Sequence, residues 1–140
     1  FRRVLFRSGM LMYRIAICDD EKSTCAEIES YILMYSKLRF IRNEIEVFYS
    51  GEAFCEYVKQ GNFFDLLFLD IELPAINGIE VGKFVRTSLG DEKMDIIYIS
   101  SKINYAMQLF QNRPMDFLVK PVKYSAVEMN MDIFVKKKGN

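Results

Sequence analysis

The sequence predicts an α/β fold, a five-stranded parallel sheet with helices on both faces. Three observations predict it. Short apolar runs alternate five times with segments of helical periodicity. The most apolar run, Leu66-Leu67-Phe68-Leu69, is continuous rather than alternating, as in a strand covered on both faces. The runs end on acidic, hydroxyl or basic residues, so polar groups collect at one sheet edge. Parallel neighbours need crossovers, and the segments between these runs have the length and period of helices.

Arg14 to Cys18 is the first strand and delivers Asp19 and Asp20 to its carboxyl end. Cys25, Ile28, Ile32 and Tyr35, spaced by three and four, mark a first helix with Ser23 or Thr24 as its expected cap. Ile45, Val47 and Tyr49 alternate with polar positions before Ser50-Gly51, giving a second strand and a turn. Ala53, Phe54, Tyr57 and Val58 follow as a helix ending near Gly61-Asn62. The third strand, Leu66 to Leu69, ends on Asp70. Past a loop with Pro74 and Gly78, a third helix carries Ile79, Val81, Val85 and Leu89. Ile96 to Ile99 is the fourth strand and ends at Ser100-Ser101. A fourth helix around Tyr105 to Phe110, a short fifth strand Phe117-Leu118-Val119, Lys120-Pro121, and a last helix with Val127, Met131, Phe134 and Val135 complete the pattern.

A length of 140 residues suits one domain with a sizeable core. No apolar run approaches the roughly 20 residues that cross a bilayer, so no membrane role is expected. Phe1-Arg2-Arg3-Val4-Leu5-Phe6-Arg7-Ser8 follows neither period, and its back-translation resembles a sequencing adapter. Residues 1–11 are therefore expected to be a non-native leader, with the natural start at Met10 or Met12 and the domain over 12–138. The chain holds 19 basic and 19 acidic side chains. Without Arg2, Arg3 and Arg7 the balance is acidic, which argues against direct nucleic-acid binding by this fragment. Cys18, Cys25 and Cys55 are odd in number and lack metal spacing, so buried thiols in a reducing cytoplasm are expected. There is no histidine, which removes imidazole-based triads, metal sites and an internal phosphohistidine together.

In sheets of this kind ligands sit beyond the carboxyl ends of the strands. Asp19, Asp20 and Asp70 gathered there repel by about 4 kcal/mol per pair at ~4 Å and an effective dielectric near 20. Lys120 supplies one compensating charge. A hard, oxygen-seeking divalent ion such as Mg²⁺ supplies the rest. Acids, a lysine and the Ser100 hydroxyl together suit a phosphoryl group, and a carboxylate is a competent nucleophile toward phosphorus.

The order Asp19-Asp20, Asp70 within Leu69-Asp70-Ile71-Glu72-Leu73-Pro74, Gly78, Ser100 and Lys120-Pro121 resembles that of response-regulator receiver domains. Asp19-Asp20-Glu21, the stretch from Ser100-Ser101 to Tyr105-Ala106, and Asp116 to Pro121 look most like regulators with a LytTR-type output domain. The resemblance covers about residues 12–138. It implies a flavodoxin-like (βα)5 fold with strand order 2-1-3-4-5. It implies that Asp70 accepts a phosphoryl group from a sensor histidine kinase and acts as a signalling domain rather than an enzyme on other substrates. Mg²⁺ would be held by Asp20, Asp70 and the backbone carbonyl of Glu72, with Asp19 acting through water. Ser100 and Lys120 would bind phosphoryl oxygens, the Lys120-Pro121 bond would be cis, and Ser100 and Phe117 would form the switch. Output would pass to a transcriptional domain or a homodimer through the face of the fourth helix, fifth strand and fifth helix. Glu72 and Lys102 would flank the route of the hydrolytic water, and could pair across the site.

Each motif alone has a plainer reading. Asp19 and Asp20 suit a helix N-terminus, Gly78 a turn, Phe117 the core, and Lys136-Lys137-Lys138 a solvated helix end. An aspartate-nucleophile phosphatase would carry its D-x-D motif after the first strand, whereas Asp70-Ile71-Glu72 follows the third. A flavin mononucleotide carrier needs a neutral, hydroxyl-rich first loop, where this chain has Asp19-Asp20-Glu21. A pure interaction module has no need for the complete set of acids, hydroxyl and lysine.

Overall fold

A computed structural model describes residues 4–5 and 11–139. Most of the expected leader lies outside them; Val4–Leu5 pair antiparallel with Leu11 and Met12 as a two-residue edge. The five parallel strands are β1 (Leu11–Cys18), β2 (Arg42–Phe48), β3 (Leu66–Asp70), β4 (Asp95–Ser100) and β5 (Asp116–Val119). Their spatial order is β2-β1-β3-β4-β5, the expected 2-1-3-4-5.

Alternate residues along the central strands feed two cores. Ala16, Leu67, Leu69, Ile96 and Tyr98 face one side and pack with helix α2 (Gly51–Lys59), helix α3 (Gly78–Lys83) and the turn that follows it through Phe54, Val58, Val81 and Val85. Ile15, Ile17, Phe68, Ile97 and Ile99 face the other, against helix α1 (Lys22–Arg39) and the last helix α4 (Tyr124–Gly139) through Ile28, Ile32, Val127, Met131 and Phe134. Each such side chain, fully buried, is worth about 1.5–3 kcal/mol, which is why β3 is apolar at every position before its terminal acid. Strand order reverses between β1 and β3, so the crossovers leave on opposite faces and a crevice opens above those two carboxyl ends.

Several local expectations need correction. Helix α1 starts at Lys22 with Glu21 as N-cap and no side-chain cap bond; Ser23 and Thr24 lie inside the first turn, and the Thr24 hydroxyl reaches back to Glu21 (3.4 Å). Ser50 caps α2 by accepting the Ala53 N–H (3.1 Å), so Ser50-Gly51 begins a helix rather than a free turn. Helix α3 starts on a reciprocal Asn77–Glu80 capping box and passes into a π-helical turn, Phe84–Ser88. The expected fourth helix is a 3-10 segment, Ile103–Asn112, closed by Arg113 in a left-handed conformation. Only Leu109 and Asn112 of that segment are buried, so core packing does not impose the wider α-helical turn on it. Gly78 answers to close approach rather than turn geometry: a Cβ there would lie 2.2 Å from the Asp70 carbonyl oxygen. The lysine run is anchored rather than merely solvated, since Lys137 and Lys138 pair with the buried Asp95 at 2.6 and 3.6 Å. Cys18, Cys25 and Cys55 are free and buried, as expected.

Candidate functional site

Asp19 follows β1, and its N–H donates to the Phe48 carbonyl of β2 (3.0 Å), which carries the β-pairing one residue past the strand and buries the side chain completely. Its Oδ1 accepts the Glu21 N–H at 2.8 Å. Asp20, next along, faces solvent. Asp70 ends β3 with 1% of its surface exposed and accepts the Glu72 N–H at 3.2 Å. Asp19, Asp20 and Asp70 each offer an oxygen within 4.8 Å of the others.

Lys120 enters from the end of β5, its N–H bonded to the Ser100 carbonyl at 2.8 Å and its peptide bond to Pro121 cis. Its ammonium lies 3.1 Å from Asp19, 3.7 Å from Asp70 and 2.5 Å from Glu21. Glu21 is a site residue that the motif reading passed over as part of an acidic run. The Ser100 hydroxyl, at the buried end of β4, donates to Glu72 Oε1 (2.9 Å) and accepts the Lys102 N–H (2.9 Å). Ser100 and Ser101, rather than Lys102, take the hydrogen bonds of the Glu72 carboxylate, and Lys102 acts on it only through its charge. Phe117 is half-buried against the α2–α3 core together with Tyr105.

Burial governs the electrostatics. It pushes the Asp70 carboxyl up to about 7, with Asp19 adding to the rise and Lys120 opposing it. Asp19 is raised by burial as well, against the Glu21 N–H and Lys120. Burial alone would lower Lys120, yet its contacts with Glu21 and Asp19 outweigh that and hold the ammonium charged. Glu72 is lowered by the Ser101 N–H and the two serine hydroxyls, so it stays an anion.

One lysine cannot neutralise this pocket, whose walls include Asp20, Glu21, Asp70 and Glu72 beside it. The buried Asp19 Oδ2 has an ion-pair contact with Lys120 but no well-formed hydrogen bond, which leaves it acceptor capacity. Three converging carboxylates, two buried and one open to water, fit a hard cation that keeps part of its hydration shell. A cation there would favour the ionised form of Asp70 and leave its oxygen available as a nucleophile beside an ammonium and a hydroxyl.

Known proteins resemble this chain in sequence and in fold. The LytT sensory transduction protein of Bacillus subtilis is 29% identical over 125 residues, which cover 89% of this chain and 49% of that protein. The transcriptional regulatory protein NatR of the same organism is 25% identical over 91% of this chain and 52% of its own length. LytT of Oceanobacillus iheyensis is 35% identical over 49% of this chain and 28% of that protein. The chain thus spans about half or less of these curated relatives. Among solved structures, the response regulatory domain of mrkE from Klebsiella pneumoniae superposes with a TM-score of 0.77 at 22% identity, covering 89% of this chain and 96% of that one. A CheY-like receiver domain protein from Methanospirillum hungatei gives 0.76 at 16% identity, covering 91% and 97%; these two speak to fold alone. The family model described as response regulator receiver domain matches residues 15–132. Nearly the whole sheet and every acid of the pocket fall within that match, and the chain belongs to the receiver domain family of two-component response regulators.

Proposed function

We propose that Asp70 is the phosphoacceptor of this receiver domain and takes its phosphoryl group from the phosphohistidine of a sensor histidine kinase. The observation that carries the reading is the placement of one buried carboxylate, Asp70, between two further aspartates and an ammonium at a strand-end crevice. Asp20, Asp70 and the Glu72 backbone carbonyl hold Mg²⁺, with Asp19 acting through water. Bound there, Mg²⁺ offsets carboxylate repulsion and neutralises phosphoryl oxygens. Lys120 binds a phosphoryl oxygen, and Asp19 and Glu21 hold its ammonium in the crevice. Ser100 donates its hydroxyl to another oxygen.

Ser100 and Phe117 form the switch in this reading. Ser100 heads the loop into the 3-10 segment, and Phe117 sits on the neighbouring strand β5. Phosphorylation changes charge without breaking the sheet, so its effect travels through elements with two arrangements of similar energy. The 3-10 segment, β5 and α4 supply the output face, for a homodimer or a transcriptional output domain. Ile103, Met107 and Phe110 are 71%, 80% and 77% exposed there, apolar surface of the kind that marks an interaction site.

Mass gain from acetyl phosphate tests this. The parent is expected to gain one acid-labile phosphoryl group with Mg²⁺ and none in chelator. Asp20→Ala is expected to weaken Mg²⁺ binding by calorimetry on the order of tenfold, the scale on which even indirect losses at metal sites register. Labelling that ignores the chelator would contradict the reading.

A further inference from the structure

An anion already holds the donors that the phosphoryl group is expected to use. Glu72 Oε1 accepts the Ser100 hydroxyl, the Ser101 N–H and the Ser101 hydroxyl, each at 2.9 Å, and Oε2 takes a further contact from the Ser101 hydroxyl at 3.1 Å. The register pairs Asp70 with Ile99, so Ser100 and Ser101 follow directly beside the Asp70 carboxyl end and their donors flank the space a substituent on Asp70 would fill. A carboxylate and a phosphoryl group are both acceptor-only oxygen anions, and a hydroxyl has a single proton to donate. The Ser100 hydroxyl therefore serves one of them at a time.

We propose that Glu72 is a built-in competitor of the phosphoryl group: its carboxylate holds the Ser100 and Ser101 donors in the resting protein and must leave before they can bind phosphoryl oxygens. This rests on the reading of Asp70 as the phosphoacceptor. The contact also restrains the switch loop. Lys102 N–H donates to the Ser100 oxygen, and the Ser100 hydroxyl donates to Glu72, so one hydrogen-bonded chain pins residues 100–102 just before the 3-10 segment begins at Ile103. Displacing Glu72 removes the anchor of that chain, which ties the loop's release to phosphoryl binding.

Two variants separate competition from its alternatives. Glu72→Ala removes the carboxylate. Glu72→Asp keeps the charge but withdraws it by one methylene, out of reach of the Ser101 N–H. Both retain the backbone carbonyl. With saturating Mg²⁺, binding of beryllofluoride is followed by nuclear magnetic resonance of the Ser101 amide, alongside the rate of labelling by acetyl phosphate. In that labelling an Asp70 carboxylate oxygen bonds to phosphorus as the P–O bond to acetate breaks and acetate departs. Competition predicts that both variants bind beryllofluoride about tenfold more tightly than the parent, the scale of a lost hydrogen bond to a charged competitor. It also predicts that their free Ser101 amide is already shifted from the parent position. If Glu72→Asp matched the parent while Glu72→Ala bound more tightly, charge repulsion alone would explain the gain and the competition would be overturned. Equal or weaker binding in both variants, with the parent still labelled, would overturn it as well and leave Glu72 a loop prop. If parent and variants alike refused beryllofluoride and phosphoryl transfer, the reading of Asp70 itself would fall, and this inference with it.

Discussion

In metal-free buffer Asp70→Asn is expected to be more stable than the parent by up to about 4 kcal/mol at about pH 8, with the gain fading toward about pH 4. Asp70 is 1% exposed, and burial together with Asp19 pushes its carboxyl up to about 7. In the unfolded chain the same group titrates near ~3.9. Between those values the folded protein keeps a proton that the unfolded chain has released, so the parent loses stability as pH rises through the window and levels off above about 7. Asparagine cannot ionise and escapes that loss. The distance from the ordinary value to about 7 corresponds to the ~4 kcal/mol limit, and Asp19, raised for the same reason, steepens the parent's decline. Urea denaturation in chelator at several pH values measures it. A parent as stable as Asp70→Asn at about pH 8 would show that the site does not strain against its own charge. Added Mg²⁺ is expected to reverse the order, because it rewards the carboxylate the variant lacks.

Arg86→Met is expected to cost about 3–5 kcal/mol, a far larger effect than its place in a polar-looking stretch suggests. The side chain is 7% exposed and enters the protein from the π-helical turn. Its guanidinium donates to the carbonyls of Asn112 (2.8 Å), Asp91 (2.9 Å), Met94 (2.7 Å) and Arg113 (3.3 Å). One residue thereby joins the π-helical turn, the segment leading into β4 and the end of the 3-10 segment. Asn112 extends the network by donating to the Tyr98 hydroxyl at 3.0 Å, and that hydroxyl lies 1.8 Å from where a Cβ on Gly82 would stand. Methionine preserves much of the stem volume but leaves carbonyls without donors, each worth about 1–3 kcal/mol where water cannot replace them. Urea melts give the loss, and amide exchange is expected to quicken first in Ile103–Asn112. An unchanged midpoint would show that those carbonyls are satisfied without Arg86.

The contrast between Arg86 and Asp70 explains what the sequence made legible. Asp70 could be found because it interrupts the most apolar run in the chain and is followed by a proline loop, so burial and charge coincide in the pattern. Arg86 sits among Lys83, Thr87 and Ser88, where a charged residue reads as exposed; only the π-helical turn aims it inward. Apolar periodicity located the five parallel strands but not the Val4–Leu5 edge, and spacings of three and four do not separate a 3-10 segment from an α-helix, which is why Ile103–Asn112 was expected as the latter. Side-chain choices among neighbouring polar groups were the least visible. Glu72 could face Lys102 or the serines, and Lys120 could meet any of several acids; both choices depend on loop geometry that no residue pattern records.

The most direct test of the central claim is intact-mass measurement of parent and Asp70→Asn after incubation with acetyl phosphate and Mg²⁺, followed by peptide mapping across Leu66–Leu73. The phosphoryl group is expected on the parent peptide at Asp70 and absent from the variant, which remains folded. Equal labelling of the two proteins, or a phosphoryl group mapped to another residue of the parent, would contradict Asp70 as the phosphoacceptor.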